Sequence, residues 1–166
     1  MKIIVVYKSG TGFTEKYANW IAEALNCEAV QLKKVNLNEL TNYDVVVYGG
    51  WIMAGMVSGY DKIKALNLKK LYVFGVGMSA PGDEVIGKMV EQNGLDEGNF
   101  FYFEGGYRPE KVGFFKRMMI NMIKKNIEKK PEKSEEDLHM LETIKGADNT
   151  NKYAIRTLVD TIKSLN

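Results

Sequence analysis

The residues best suited to bind a ligand lie in a short segment rich in glycine and hydroxyl groups, Ser9–Thr14. It follows the apolar run Ile3–Tyr7 and precedes a helical pattern, so it is a strand-to-helix turn. Such a turn favours an anion, because the first N–H groups of a helix lack intrahelical partners and the helix dipole is positive there. Glycines let the backbone approach a ligand, and hydroxyls donate to phosphate oxygens. We therefore expect a phosphate here, with candidate contacts Ser9, Gly10, Thr11, Gly12, Phe13 and Thr14.

The spacing of the glycines restricts the kind of phosphate ligand. A P-loop would end in Gly-Lys-Ser/Thr, and this segment does not. A dinucleotide-binding turn would have Gly or Ala where Glu15 stands. Gly75–Ala80 matches that dinucleotide pattern as a string, but Pro81 and Gly82 separate it from the next helix. A hydroxyl-rich turn without arginine suits a single terminal phosphate that is held largely by neutral donors.

The segment resembles the phosphate loop of flavodoxins, Ser/Thr-x-Thr-Gly-x-Thr, and its strand, loop and helix come in the same order. The resemblance implies that Ser9–Thr14 binds the phosphate of FMN. The alternative is an ordinary strand-to-helix turn that is capped by a threonine and binds no ligand.

Apolar runs alternate with helical patterns along the rest of the chain. We predict strands at 2–7, 27–35, 45–48, 71–74 and 100–103, and helices at 13–25, 61–66, 83–92, 114–128 and 150–164. Short alternating units predict an α/β fold, a flavodoxin-like three-layer α/β/α sandwich around a five-stranded parallel sheet. Right-handed crossovers between these strands favour the order 2-1-3-4-5.

Two further glycine-rich segments, 49–56 and 75–82, also follow predicted strands. Ligands of such sheets bind at the carboxyl ends of the strands, so we expect all three segments at one edge. In flavodoxins the flavin ring lies between the second and third loops. The resemblance therefore implies ring contacts from Gly50, Trp51, Ile52, Met53, Gly77, Met78 and Ser79. Trp51 could stack on the ring or pack in the core, and Met78 stands where many flavodoxins have an aromatic residue.

A basic segment separates the fifth strand from the last helix. We predict a single domain, 1–166, with a basic helical insertion at about 107–149. Residues 108–133 hold nine basic and three acidic residues (9 − 3 = +6), whereas the whole chain carries +2, which leaves 2 − 6 = −4 elsewhere.

The centre of the insertion, 114–128, is strongly amphipathic. Its apolar stripe consists of Phe115, Met118, Met119, Met122, Ile123 and Ile127. The predicted basic face consists of Lys116, Arg117, Lys124 and Lys125. The stripe could cover this protein's own sheet, a partner protein or an anionic membrane surface. Nucleic acid is not expected, because the basic residues are confined to this one segment without a reader motif.

Further segments resemble flavodoxin-type, menaquinone-dependent protoporphyrinogen IX dehydrogenase. Tyr48–Gly55 is similar to that family's second loop, Gly-Ala-Ser-Ile-x-x-Gly. Glu104–Arg108 and Phe114–Ile120 resemble its Gly-Ala-Leu-x-Tyr run and the basic, methionine-rich helix that follows. The resemblance covers nearly the whole chain and implies electron or hydride transfer to a porphyrinogen or quinone, with the insertion near a membrane-embedded quinone. Trp51 replaces a residue that is usually small in that family.

The other reactive residues form no catalytic set in the sequence, so the chemistry would come from the cofactor. Cys27 is expected to be a small buried residue, and His139, the single histidine, to be exposed to solvent. One cysteine and the absence of a secretory leader predict a cytoplasmic protein, with peripheral contact at the inner face of the membrane as an option.

Three functions remain open. The first is an FMN-dependent oxidoreductase that acts on a small redox substrate or a redox partner protein. The second is a one-electron carrier, although such carriers are usually acidic and this chain has a net charge of +2. The third is a non-catalytic interaction module with a flavodoxin-like fold.

Overall fold

The fold is organised around five parallel strands. A computed structural model of the chain describes residues 1–165. The strands are β1 (Ile3–Lys8), β2 (Glu28–Gln31), β3 (Val45–Met53), β4 (Met56–Val57), β5 (Leu71–Gly77) and β6 (Phe100–Glu104). The order β2-β1-β3-β5-β6 confirms the predicted arrangement of the parallel strands. The short β4 pairs antiparallel with β3, and the sequence pattern did not predict it.

Helices cover both faces of this sheet. They are α1 (Phe13–Leu25), α2 (Tyr60–Lys64), α3 (Asp83–Asn93), α4 (Phe114–Glu128), α5 (Glu135–Ile144) and α6 (Arg156–Lys163). Alternate strand residues face opposite sides, so Val5 packs with Ile21 and Leu158 of α1 and α6. Its neighbour Val6 belongs to the core that contains Ile63 of α2 and residues of α3. The predicted three-layer sandwich is thereby confirmed.

The prediction that β3 ends at Gly49 and Gly50 is wrong, because this strand continues through both glycines as far as Met53. The prediction that β5 ends in its glycine-rich segment is confirmed, since this strand ends at Gly77. A Cβ on Gly49 would lie 2.0 Å from Cζ of Phe74, and one on Gly50 would lie 2.6 Å from the carbonyl oxygen of Ser58. These glycines therefore make room for neighbouring residues within the sheet. The strand reverses at the next pair, 54–55, to meet β4.

The segment between β6 and α6 leaves and rejoins the sheet at a single place, the neck. Gly106 and Asp148 form an isolated antiparallel bridge. The Tyr107 N–H donates to the carbonyl of Ala147 (2.9 Å), and a second backbone bond joins residues 149 and 105. The two ends of the inserted segment are therefore fastened to each other as well as to the sheet.

The inserted segment consists mainly of α4 and α5. The predicted bounds of α4 are confirmed, whereas the sequence pattern did not predict α5. At the start of α5, Ser134 and Asp137 form a capping box. Within residues 1–165, none of the helices combines the length and the apolarity needed to cross a bilayer.

The apolar stripe of α4 is divided between two faces. Ile127 is buried, with 7% exposure, and Met119 and Ile123 are partly covered. In contrast, Phe115 is 74% exposed and Met118 is 53% exposed. The stripe therefore covers this protein only along its inner edge, and its outer edge faces solvent.

Candidate functional site

A cavity of about 330 Å³ lies at the carboxyl edge of the sheet. Its walls come from the turn after β1, from the β3–β4 hairpin, from the loop after β5 and from α4. This volume is within the range of about 300–1,000 Å³ that is usual for small-molecule sites. The three glycine-rich segments thus converge on one site, as the sequence pattern predicted.

Most of the predicted contacts lie in this cavity. The residues that line it are Gly10, Thr11, Phe13, Thr14, Trp51, Ile52, Met53, Gly77, Met78 and Ser79. The other three, Ser9, Gly12 and Gly50, do not line the cavity but take part in the backbone that supports it. The Ser9 Oγ accepts a hydrogen bond from the Gly12 N–H (3.1 Å), and Gly50 pairs within the sheet. That any of the thirteen contacts a cofactor stays a prediction.

The turn after β1 has the geometry of an uncapped helix start. Gly12 occupies the N-cap of α1 with φ 99°, a left-handed conformation that favours glycine, and it has no side chain to serve as a cap. The alternative of a threonine cap is therefore wrong. The first α-helical bond runs from the Lys16 N–H to the Gly12 carbonyl (3.0 Å), so the N–H groups before Lys16 precede the intrahelical ladder. This leaves donors at the turn for a ligand.

Two basic residues of the inserted segment approach the turn. The Arg108 Nη1 donates to the Thr11 carbonyl (2.8 Å), and its guanidinium carbon lies 4.2 Å from the centre of the Phe13 ring. The Lys116 Nζ lies 3.5 Å from the centre of the Trp51 ring. Burial and then the nearby charge of Lys8 lower the pKa of Lys116.

These two cations correct the sequence-based view of the loop as a site of neutral donors. The prediction that Lys116 belongs to the outer basic face of α4 is wrong, because its ammonium points inward to the cavity and to Trp51. Sequence reasoning missed both residues, since about a hundred positions separate them from the turn. The charge excess of the insertion was the only signal, and it did not single out either residue.

Buried hydrogen bonds hold the hairpin that carries Trp51. Asn93 of α3 is 4% exposed; its Oδ1 accepts from the Val57 N–H (2.9 Å). Its Nδ2 donates to the carbonyls of Gly55 and Met89, each at 2.8 Å. The turn itself contains Ala54 and Gly55, with φ 49° and 79°, which matches a type I′ hairpin turn. The Trp51 side of the cavity is therefore fixed by α3.

A buried tyrosine fixes the third loop. The Tyr102 hydroxyl donates to the Ser79 carbonyl (2.8 Å), and burial raises the pKa of Tyr102, which keeps the phenol protonated as a donor. A Cβ on Gly77 would lie 2.6 Å from this hydroxyl, so the close approach needs glycine at that position. The loop is thereby held against β6.

The inserted segment supplies the cover of the cavity. Its apolar lining residues include Val112, then Met119, Ile120 and Ile123 of α4, and Met140 of α5. Next to Met140, the Nε2 of His139 lies 2.5 Å from the Glu104 Oε1, which also accepts from the Asn149 Nδ2 (2.7 Å). The His139 side chain is 36% exposed, so it is a partly covered surface residue rather than the fully exposed one that the sequence predicted. The contact ties α5 to the end of β6.

The remaining reactive side chain, Cys27, lies beside β2 at the edge of the core. It is partly buried, and burial raises the pKa of its thiol to about 11. A thiol with this pKa is protonated at neutral pH and is a poor nucleophile, in keeping with the packing role expected from the sequence.

Comparison with known proteins gives one family. A family model described as a flavodoxin domain matches residues 4–135. An uncharacterized protein of Methanocaldococcus jannaschii is 35% identical over 80 residues, which are 45% of this chain and 53% of that protein. The chain thus spans about half the length of the curated relative it matches.

Solved structures include two flavodoxins that resemble this chain. A flavodoxin from the domain Archaea is 18% identical, with a TM-score of 0.48 over 67% of this chain and 88% of its own. Oxidised flavodoxin 2 from Bacillus cereus is also 18% identical, with a TM-score of 0.49 over 98% of this chain and 99% of its own.

Proposed function

This chain belongs to the flavodoxin domain family, and from that premise we propose that it binds FMN in the cavity and acts as an FMN-dependent redox protein. One observation carries the proposal: a hydroxyl-rich helix N-terminus and an apolar cleft form parts of the same cavity. The first suits a phosphate, and the second suits a planar ring system.

The residues present fit such a ligand. Thr11, Thr14 and the N–H groups of the turn would hold the phosphate, while Trp51 and Met78 would contact the ring. Backbone groups of the hairpin and of the third loop would reach the polar edge of the ring. When bound, FMN would supply electron or hydride transfer, for which no side-chain set is recognisable in this chain.

We further propose that the acceptor is an organic molecule of the porphyrinogen or quinone type. The supporting feature is the cover of the cavity, which is apolar and rich in methionine. Met119 of α4 and Met140 of α5 can adapt to a flat apolar ring because thioether side chains are flexible and polarizable. Covering the site with these side chains would also exclude water from the reacting atoms.

A one-electron carrier is the second candidate, since it would use the same cofactor site. Its docking surface would have to be basic around α4, because this part of the chain carries the excess of lysine and arginine. Titration of the bound flavin against redox dyes separates the two candidates. Widely separated potentials with a very low second step favour a carrier, whereas closely spaced potentials favour transfer to an organic acceptor.

The first experiment is an absorbance spectrum of the purified full chain, followed by titration with FMN if the protein is colourless. We expect flavin bands, release of FMN on denaturation, and saturable binding by the apoprotein. A protein that lacks flavin and does not bind added FMN contradicts the proposed function and leaves an interaction module as the remaining reading.

We also propose peripheral contact between the outer face of α4 and an anionic membrane. Phe114 is 76% exposed, Met118 and Met122 lie beside it, and Arg117 and Lys125 flank them along one groove. Apolar side chains bordered by cations suit the boundary between anionic headgroups and acyl chains.

Co-sedimentation with vesicles of phosphatidylcholine, with and without phosphatidylserine, tests this contact at low salt. We expect binding only to the anionic vesicles and a marked loss in Phe114→Ser. The control is Tyr153→Ser, because Tyr153 is an equally exposed aromatic residue, 78% against 76%, outside α4. Equal binding of the two variants, or no binding of the wild type, removes the membrane proposal.

A further inference from the structure

Two hydrogen-bond donors converge on the phosphate loop from outside it. The Lys116 Nζ and the Trp51 Nε1 each lie 3.7 Å from the position that a Cβ on Gly10 would occupy. Lys116 comes from α4 and Trp51 from β3, so two distant parts of the chain place a donor at the same point. Both residues also line the cavity.

The ammonium of Lys116 has no anionic partner among residues 1–165. Two other cations near the turn have one: Arg108 and Lys16 both pair with Asp148, at 3.3 and 3.2 Å. On the outer side of α4, Lys124 pairs with Glu128. Lys116 instead lies over the ring of Trp51, which attracts its charge but offers no lone pair to its three N–H donors.

An anion at this point would complete the arrangement. Lys116 is partly buried and close to the positive charge of Lys8, and both effects lower the pKa of its ammonium. A lysine on an exposed helix could turn to solvent and avoid this cost, as Lys125 does on the same helix. The inward position next to an anion-binding turn therefore indicates a negatively charged ligand at that point.

We propose that Lys116 forms an ion pair with the phosphate group of FMN bound at Ser9–Thr14, with the Trp51 indole N–H as a second donor, so that cofactor binding docks α4 over the cavity. This inference rests on the proposed FMN site. It assigns to the inserted segment a direct part in holding the cofactor. The phosphate would then be bound from two sides, by the turn after β1 and by α4.

The preference of the protein for FMN over riboflavin measures this contact, because the two ligands differ only in the phosphate. We would determine both dissociation constants by fluorescence titration for the wild type, Lys116→Gln and Lys125→Gln. Lys125 is the matched control, since it is an exposed lysine on the outer face of the same helix. We expect Lys116→Gln to weaken FMN binding about tenfold or more, as for loss of a charge-assisted bond, and to change riboflavin binding less than about twofold.

Hydrogen exchange of the amides in α4 gives a readout that does not depend on activity. We expect exchange in Phe114–Glu128 to slow when FMN is added to the wild type, and to slow much less with riboflavin or in Lys116→Gln. Inorganic phosphate alone is the third probe. A slowing by phosphate that Lys116→Gln abolishes assigns the effect to the phosphate group and not to the flavin ring.

The possible failures are distinguishable. Wild-type protein that binds neither flavin overturns the proposed function and this inference together. Wild-type protein that binds FMN, with a Lys116→Gln variant that keeps the full preference for FMN over riboflavin, overturns this inference alone. A loss of FMN binding in Lys125→Gln equal to that in Lys116→Gln also overturns it, because the effect would then reflect net charge.

Discussion

The two walls of the cavity are held in place by different means. The sheet wall, residues 9–14, 51–57 and 76–79, is fixed by buried hydrogen bonds from Asn93 and Tyr102. The α4 wall, Phe114–Glu128, rests on apolar contacts and on the lysine that covers Trp51, and much of its surface faces solvent.

The difference indicates two tasks within one site. A wall fixed by satisfied buried hydrogen bonds presents its groups in place before a ligand arrives, which lowers the cost of ordering them on binding. A wall held by few buried contacts opens at a lower free energy than the core. We infer that the sheet wall defines the proposed FMN site, whereas the α4 wall adjusts to what is bound.

Replacing the asparagine behind the sheet wall should have the largest effect. Asn93→Ala leaves the buried Val57 N–H and the partly buried Gly55 carbonyl without their partner. We expect a loss of about 3 kcal/mol in the free energy of unfolding, at about 1–3 kcal/mol for each unsatisfied group. Urea unfolding measures it. The control is Asn121→Ala, the same change on the outer face of α4, where we expect about 0.5 kcal/mol or less. Equal losses would contradict the distinction between the walls.

A smaller effect is expected from an alanine in the phosphate loop. Gly12 has φ 99°, and a Cβ there would lie 2.8 Å from the Arg108 Nη1. We expect Gly12→Ala to lower the free energy of unfolding by about 1–2 kcal/mol and to weaken FMN binding. Gly113→Ala is the control at the start of α4, because Gly113 has φ −67° and open space around its Cα. That variant should change the free energy of unfolding by only about 0.5 kcal/mol. If Gly12→Ala unfolds like the wild type, the left-handed turn at this position is not preformed.

The smallest effect is expected from protonation of Asp148, the neck residue that pairs with Arg108 and Lys16, when the pH is lowered. Burial acts to raise the pKa of Asp148, but hydrogen bonds from Thr150 and Lys16 outweigh it, so its pKa lies below the ordinary value of 3.8. A carboxyl whose pKa is lowered by folding contributes stability above pH 3.8, and this is lost as the pH falls through the lower value.

The measurement is urea unfolding at pH 5 and pH 3. Asp148 is 40% exposed, so we expect wild type to lose less than about 1 kcal/mol more than Asp148→Asn over this interval. Asp160→Asn, at an exposed position of α6, should behave like wild type. An identical pH dependence in Asp148→Asn and wild type would show that Asp148 does not stabilise the folded chain.

The sheet wall could be predicted largely from the sequence, because its signals are local. Apolar runs such as Val45–Tyr48 mark buried parallel strands, and Ser9–Thr14 carries its own pattern of glycines and hydroxyls. The end of β3 could not be predicted, because a glycine usually indicates a break in a strand. Here Gly49 instead makes room for the ring of Phe74 on another strand, which the sequence does not reveal. The β3–β4 hairpin was missed because its turn is Ala-Gly and not one of the usual Asn-Gly or Asp-Gly pairs.

The sequence predicted that α4 is a helix but not that one of its sides lines the cavity. Its periodicity gives the correct bounds, yet periodicity alone does not say which side meets the protein. Lys116 was assigned to solvent because that is the usual place of a lysine on an amphipathic helix, and only the position of Trp51 reverses this. For α5 a signal was present: the capping box that begins at Ser134.

The neck indicates which part of the chain can vary in length and sequence. Because Gly106 and Asp148 already hold the two ends of the inserted segment together, a short turn could join these ends where the segment now stands. The cover of the cavity is thus a separate unit attached to the sheet at the neck. Changes confined to this unit would alter what approaches the proposed FMN site, while the sheet wall keeps the hydrogen bonds of Asn93 and Tyr102.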